Sequence, residues 1–143
     1  MSEIRSPDLR RLRDDWEARR NGRDLPARAD FDVLDLKYML GRLALFEVAY
    51  YPLRFRCRLH GTSIARRVGY EMTGKTLDEI PSPLLRVKMR DHFQRAIETR
   101  MPIVEIRERE TYENGVVDCE VLVLPLSGSG KSVDMLMVGV IFP

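Results

Sequence analysis

The chain has 143 residues, 44% hydrophobic and 32% charged, with 24 lysines and arginines against 22 acids for a formal net charge of +2. That length suits one domain with a sizeable core, and the near-balance of charge lacks the overall basic excess of a nucleic-acid binder, so nucleic acid is not an expected partner. No apolar run approaches the ~20 residues of a membrane-spanning helix, the charged N-terminus lacks the apolar stretch of a secretory signal, and Cys57 and Cys119 are too few for a disulfide framework. A reduced, cytoplasmic protein without membrane insertion is expected.

The first element opens at Ser6, a cap residue, followed by Pro7 where a missing N–H costs nothing and Asp8 at the positive end of the helix dipole. Leu9, Leu12 and Trp16 then recur on one face among charged residues until Gly22 stops the helix. Such a stripe needs a cover, supplied either by the chain's own domain or by a second subunit. On the second reading Leu9, Leu12 and Trp16 are candidate dimer-interface residues. A linker broken at Pro26 leads to a short helix capped by Asp32 and ended by Gly41. Residues 1–41 thus read as a helical extension and linker, and 42–143 as the main domain.

Residues 42–52 are rich in β-branched and aromatic side chains. Strict alternation follows, with Leu53, Phe55, Cys57 and Leu59 on one face and Arg54, Arg56, Arg58 and His60 on the other. Two strands joined by a Tyr-Pro turn make a hairpin. The segment 61–81 holds three glycines and suggests short helical turns. Ser82 and Pro83 then begin a long helix that ends before Pro102, with Leu85, Met89, Phe93, Ala96 and Ile97 on one face. Residues 103–112, 115–126 and 131–142 read as three strands, and Asn114-Gly115 between the first two is a hairpin signal.

Two strands, a helical excursion ending in one long helix, and a three-strand meander together resemble the PAS domain. The string "RLHGTSIARRVGYEMTGKTLDEI" carries most of the likeness: Gly61 is expected to release the second strand into a turn, Gly69 to end a helical turn and Gly74 to allow a tight bend. With "LPARADFD" and "RFRCRLHGTSIA", the sequence resembles small stand-alone bacterial PAS proteins. The resemblance implies an α+β fold: a five-stranded antiparallel sheet in order 2-1-5-4-3, helices packed on one face and an N-terminal amphipathic helix. It also implies a non-enzymatic sensor or protein-interaction module, often a homodimer, sometimes holding haem, flavin or a small metabolite between sheet and long helix. Pro143 directly follows the last strand, so output is expected through dimerisation or a separate signalling partner.

On that fold the candidate pocket residues are Phe55, Cys57, Leu59, Ile64, Met72, Leu77, Met89, His92, Phe93 and Ile97, with Cys119, Val121, Met135 and Met137 from the last two strands. A ligand cavity and a filled core have the same sequence signature, and a filled core would make the chain an adaptor working through its surfaces. His92 on the long helix is the candidate haem ligand. Flavin photochemistry of the light-sensing type requires a cysteine in the short-helix section, and "GYEMTGKTL" has none.

Other constellations are weaker. Cys57, His60, His92 and Cys119 are not expected to form a zinc set, because Cys57 and His60 are assigned to opposite strand faces. "SGSGKS" has Pro125 where a phosphate-binding loop needs glycine. Glu105, Glu108, Glu110 and Glu113 read as a solvated edge strand without a nucleophile–base pair, and no catalysis is expected. Arg54, Arg56, Arg58, Arg66 and Arg67 form a candidate patch for an anion or acidic partner, without the interleaved aromatics that stack bases. The Arg-rich second strand and the acidic third strand fall on opposite sheet edges, where their charges would orient a dimer or partner.

Overall fold

The computed structural model describes residues 3–112 and 115–143. Helix α1, Pro7–Arg20, begins where Ser6 Oγ accepts the Leu9 N–H at 3.2 Å. A short 3-10 turn, Arg28–Asp30, and a longer 3-10 stretch, Val33–Met39, follow. Asp32 caps the latter as expected, accepting the Leu34 N–H at 2.9 Å, but the element winds as a 3-10 rather than an α-helix. Then come strands β1, Leu43–Ala49, and β2, Arg54–His60, helix α2, Thr62–Val68, a 3-10 turn Leu77–Glu79, and helix α3, Pro83–Thr99, with Ser82 Oγ capping the Leu85 N–H at 3.3 Å. Strands β3, Ile103–Tyr112, β4, Gly115–Leu126, and β5, Met135–Ile141, complete the chain. The turn residue Asn114 and the acid Glu113 lie outside the described residues.

The five strands form one sheet in order β2-β1-β5-β4-β3, each neighbour antiparallel to the next. Helices α2 and α3 cover one face, called inner here, and α1 with the Val33–Met39 stretch covers part of the outer face. Strands β4 and β5 sit between both layers, which explains why residues 119–126 are all buried. A strand covered on both sides shows a continuous apolar run with no legible alternation.

The outer packing settles what covers the apolar stripe of α1. Leu9, Leu12 and Trp16 are fully buried in their own chain. The two leucines lie against Gly139 so tightly that a Cβ there would stand 2.8 and 2.9 Å from their Cδ2 atoms. Trp16 Nε1 donates to the Pro125 carbonyl at 2.8 Å, and the buried Glu120 carboxylate accepts the Arg5 and Ser6 N–H groups at 2.6 and 2.9 Å, fixing the entry to α1. These three side chains therefore present no face to a second subunit, because the chain's own sheet takes them. Ile4, Leu25, Phe31, Leu36 and Met39 join the same buried cluster as the strands, so the step at residue 41 is a change of element type within one core.

The β1–β2 pairing contains a bulge. Leu45 opposes Leu59 and Phe46 opposes Cys57, which leaves Arg58 as an extra residue on β2. One inserted residue reverses the phase of everything beyond it. Phe55 and Cys57 face the inner side as expected, but Leu59 turns outward, 46% exposed, and His60 turns inward and is buried. The open edge of β2 is covered locally, with the Cys57 N–H donating to Lys75 O and the Gly74 N–H to Cys57 O, both at 2.7 Å.

Gly61 serves a purpose other than the one expected. Its φ of −57° is accessible to any residue, but a Cβ there would lie 2.3 Å from the Gly41 carbonyl oxygen. Close backbone approach, not conformational freedom, demands glycine. Gly69, by contrast, adopts φ 92° and ends α2 as its position suggests.

Candidate ligand cavity and outer groove

Between α3 and the inner sheet face lies a cavity of about 50 Å³. Ala44, Phe46, Ile64, Val68, Met72, Ile80, Leu85, Met89, Phe93, Val121, Val138, Val140 and Phe142 form its apolar wall, and His60, Tyr70 and Arg107 its polar part. Of the expected pocket residues, the fold brings Ile64, Met72, Met89, Phe93 and Val121 together here. Phe55, Cys57 and Leu77 are buried on the inner side without lining the cavity, and Ile97 packs half-buried against the core away from it. Phe93 meets Phe46 and Phe55 edge-on at 4.9 and 5.2 Å, and these rings fill much of the space that a larger ligand would need.

The remaining expected residues lie elsewhere. Cys119 is buried on β4 opposite Arg107, outside the cavity. Met135 and Met137 share the phase of Gly139 and so belong to the outer face, while Leu136, Val138 and Val140 point inward. Leu59 and Met137 line an outer groove of about 510 Å³ instead, with Leu36, Met39, Leu43 and Leu45. Val33, Leu34 and Leu40 stand exposed along it, Leu40 at 82%.

His60, Tyr70 and Arg107 went unrecognised in the sequence. His60 was hidden by the bulge. On β3 the phase is also unexpected, because Glu105 and Arg107 point inward while Ile106 joins Ile4 on the outer side. Arg107 is 7% exposed, and its Nε donates to Glu105 Oε2 at 2.8 Å. His92 Nδ1 stands 2.7 Å from the same oxygen, so the candidate haem ligand is engaged with β3 and does not line the cavity. Burial pushes the Glu105 carboxyl up, but the close approach of His92 and the charge and hydrogen bond of Arg107 outweigh it and leave the group below its ordinary range.

His60 Nδ1 accepts the Met72 N–H at 3.2 Å, which puts the proton of the neutral ring on Nε2. The ring stacks on Tyr70, with centroids 6.4 Å apart at an interplanar angle of 9°. Burial lowers the His60 pKa, against a smaller upward pull from Glu71 at 3.6 Å. The Cys57 thiol is pushed up to about 12, by burial first and then by the Glu71 charge, so it offers no nucleophile at neutral pH.

The other candidate constellations do not converge. Cys57 and His60 do share the inner side, contrary to their expected separation, yet among the described residues no group of three or more His, Cys, Asp or Glu is placed to hold a metal ion. In the loop after β4, the Gly128, Gly130 and Lys131 N–H groups donate to Asp134 Oδ2, Ser127 Oγ and Ser129 Oγ at 2.6, 2.9 and 3.1 Å. Donors that a phosphate loop would aim at a ligand are used internally. Glu108 is exposed, 3.9 Å from Arg5. The arginine patch is dispersed: Arg54 lies 3.6 Å from Asp78, Arg56 donates to Gly74 O at 2.6 Å, Arg58 pairs with Glu47 at 2.8 Å, and Arg67 stacks over Phe142 at 4.9 Å. Arg66 and Arg67 belong to the last turn of α2 rather than to β2.

An antiparallel sheet in order 2-1-5-4-3, with a long helix across a small inner cavity, defines the fold of PAS and related light-oxygen-voltage sensory domains. A family model described as "PAS domain" matches residues 4–142, and the chain belongs to that family. Solved structures agree on the fold. The PAS domain of Bordetella pertussis BvgS aligns at 16% identity and TM-score 0.55, over 78% of this chain and 85% of that one. A sensory box sensor histidine kinase from Vibrio cholerae aligns at 15% and 0.55, over 78% and 88%. The Rhodobacter sphaeroides light-oxygen-voltage protein aligns at 13% and 0.55, over 97% and 68%. No curated protein matches the sequence. The large prosthetic groups of the fold class do not fit here: ligand pockets for such molecules run to roughly 300–1,000 Å³, far above the 50 Å³ present. No helix among the described residues is long and apolar enough to cross a membrane.

Proposed function

We propose that the chain is a cytoplasmic, non-enzymatic sensor module in which a small ligand between α3 and the sheet alters docking to a partner protein or a second copy of the chain. The buried Arg107 carries this reading. A core that serves packing alone gains little from a desolvated guanidinium, since apolar residues of similar volume stabilise at least as well. Placed on the wall of an apolar cavity whose lining also includes His60 and Tyr70, it supplies what ligand sites add to an apolar surface, a few directed polar groups. The lining also includes Met72 and Met89, whose unbranched side chains can adjust to an occupant.

The outer groove favours a second reading, an adaptor with a filled core. Val33, Leu34, Leu40 and Leu59 make a contiguous exposed apolar rim, the kind of surface that marks interaction sites. Native mass spectrometry of the purified protein, followed by thermal unfolding against a panel of small metabolites, separates the two. Sensing predicts a bound small molecule or a saturable rise in Tm. A clean apo mass with no stabilising compound would leave the adaptor.

A further inference from the structure

We infer that the N-terminal half of α3 is a docking surface for an acidic segment of a separate signalling protein, with Arg54, Arg86 and Arg90 taking its carboxylates and Leu84 and Val87 its aliphatic side chains. The surface supplies the docking half of the proposed function and rests on it, without requiring a filled cavity. The three guanidiniums converge on one residue of the turn Leu77–Glu79. Arg54 Nη1 stands 3.6 Å from Asp78 Oδ2, Arg90 Nη2 donates to Asp78 Oδ1 at 3.1 Å, and Arg86 Nη1 donates to the Asp78 carbonyl at 3.1 Å. One strand and one helix thus bring their arginines to a single carboxylate. The neighbouring acids are engaged: Glu79 Oε2 accepts the Thr76 N–H at 2.8 Å and Asp91 lies 3.8 Å from Arg95. Arg56, paired with Thr76 at the same sheet edge, adds a further cation. Each guanidinium carries five N–H donors in a fork that suits a carboxylate, so the cluster keeps both charge and donors for a second anion.

The apolar half lies on α3 itself. Leu84, Val87 and Arg90 follow one another at three-residue steps, which makes them neighbours along the helix surface. Leu84 and Val87 are 63% and 68% exposed, whereas Leu85, Met89 and Phe93 turn to the cavity. Charge and shape together choose the occupant. A nucleic acid would meet the arginines, but two aliphatic side chains offer its bases nothing to stack on. A second copy docked symmetrically would set guanidinium against guanidinium. An acidic segment with leucine or valine among its carboxylates matches both halves. The surface is also in packed continuity with the cavity: the Arg90 guanidinium lies over the Phe55 ring at 5.8 Å, and Phe55 meets Phe93, a cavity-lining residue, edge-on at 5.2 Å.

The test is fluorescence anisotropy of the full chain with a labelled peptide of glutamates and interspersed leucines, beside one with glutamine for glutamate, one with serine for leucine, and a labelled oligodeoxynucleotide. Saturable binding of the first is expected, and weaker binding of the other three. Arg54→Gln combined with Arg86→Gln is expected to weaken it about fivefold or more, the scale of two exposed ion pairs. Arg10→Gln combined with Arg13→Gln, an equal loss of charge on α1, should change it less than about twofold. Should the first double variant melt early, Arg54→Gln alone and the peptide comparison decide. No binding of the glutamate–leucine peptide, equal binding of the glutamine or serine peptide, or equal effects of the two double variants overturns the inference. So does an oligonucleotide bound as tightly through the same arginines, or a dimer in sedimentation that Arg54→Gln with Arg86→Gln dissociates. Each of those outcomes leaves the cavity ligand standing, because native mass and thermal shift read it independently; a clean apo mass would remove that ligand and leave peptide docking in place.

Discussion

Replacing Trp16 by alanine tests whether the first forty residues belong to the domain. Trp16 is fully buried against the outer sheet face and donates through Nε1 to Pro125 O at 2.8 Å. Truncating a buried Trp costs about 3–5 kcal/mol in transfer and cavity terms. With a urea m-value of about 2 kcal/mol/M, typical of small proteins, the midpoint should fall by about 2 M. Trp16→Phe keeps a ring but loses the donor and is expected to cost about 1–2 kcal/mol. Far-UV circular dichroism in urea reads both, since the mutation removes the only tryptophan fluorophore. A single cooperative transition shifted to lower urea supports one core. A stability unchanged within about 0.5 kcal/mol, or a first small transition followed by sheet unfolding at the wild-type midpoint, would show that α1 is an appendage and refute the packing described.

Gly61→Ala is expected to cost about 3 kcal/mol or more, because the new Cβ meets the Gly41 backbone, whereas Gly139→Ala meets only the mobile ends of Leu9, Leu12 and Met39 and should cost about 1–2 kcal/mol; equal losses in urea would contradict this. The lowered His60 pKa means that the unfolded chain binds a proton the native ring refuses. Stability should therefore fall as pH drops below about 6.5, by at most about 1.4 kcal/mol per pH unit, until the native pKa is reached. The gap between wild type and His60→Gln should narrow from pH 7.5 to pH 5, and a constant gap would rule out a buried neutral ring. Glu105 adds a second loss that begins near pH 4.5, where the unfolded carboxyl protonates before the native one, and Glu105→Gln should flatten that limb. Both cysteines are buried, so neither should react quickly with a thiol reagent in the native protein and both should react on unfolding; one fast thiol would contradict the packing.

Much of the fold was legible because it rests on local chemistry. Ser6, Asp32 and Ser82 cap the elements they precede, Pro7 and Pro83 open helices, and the last three strand stretches were each placed on the strand that forms there. The sheet order observed is the one that the resemblance to the PAS domain implied. The site was less legible. Ile64, Met72, Met89, Phe93 and Val121 were recognisable as apolar residues near the long helix, but the same signature marked Phe55, Cys57 and Leu77, which fill the core beside the cavity.

What the sequence by itself determined were quantities encoded within a few residues: caps, breaks, strand-forming runs and the stripe on α1. Tertiary structure alone decided which way those surfaces face. The Arg58 bulge exchanges Leu59 and His60 between sides, a shift that alternation cannot reveal because either residue fits a continuing strand. Burial on both faces erases the phase of β5, and only the packed sheet shows that Met137 lines the outer groove and Val138 the cavity wall. Arg107 and Glu105 look like ordinary edge-strand charges until α3 brings His92 against them. Only the packed chain makes a buried guanidinium tolerable, because its counter-charge comes from two residues away on the same strand while the partner that helps hold it comes from a helix folded across the sheet.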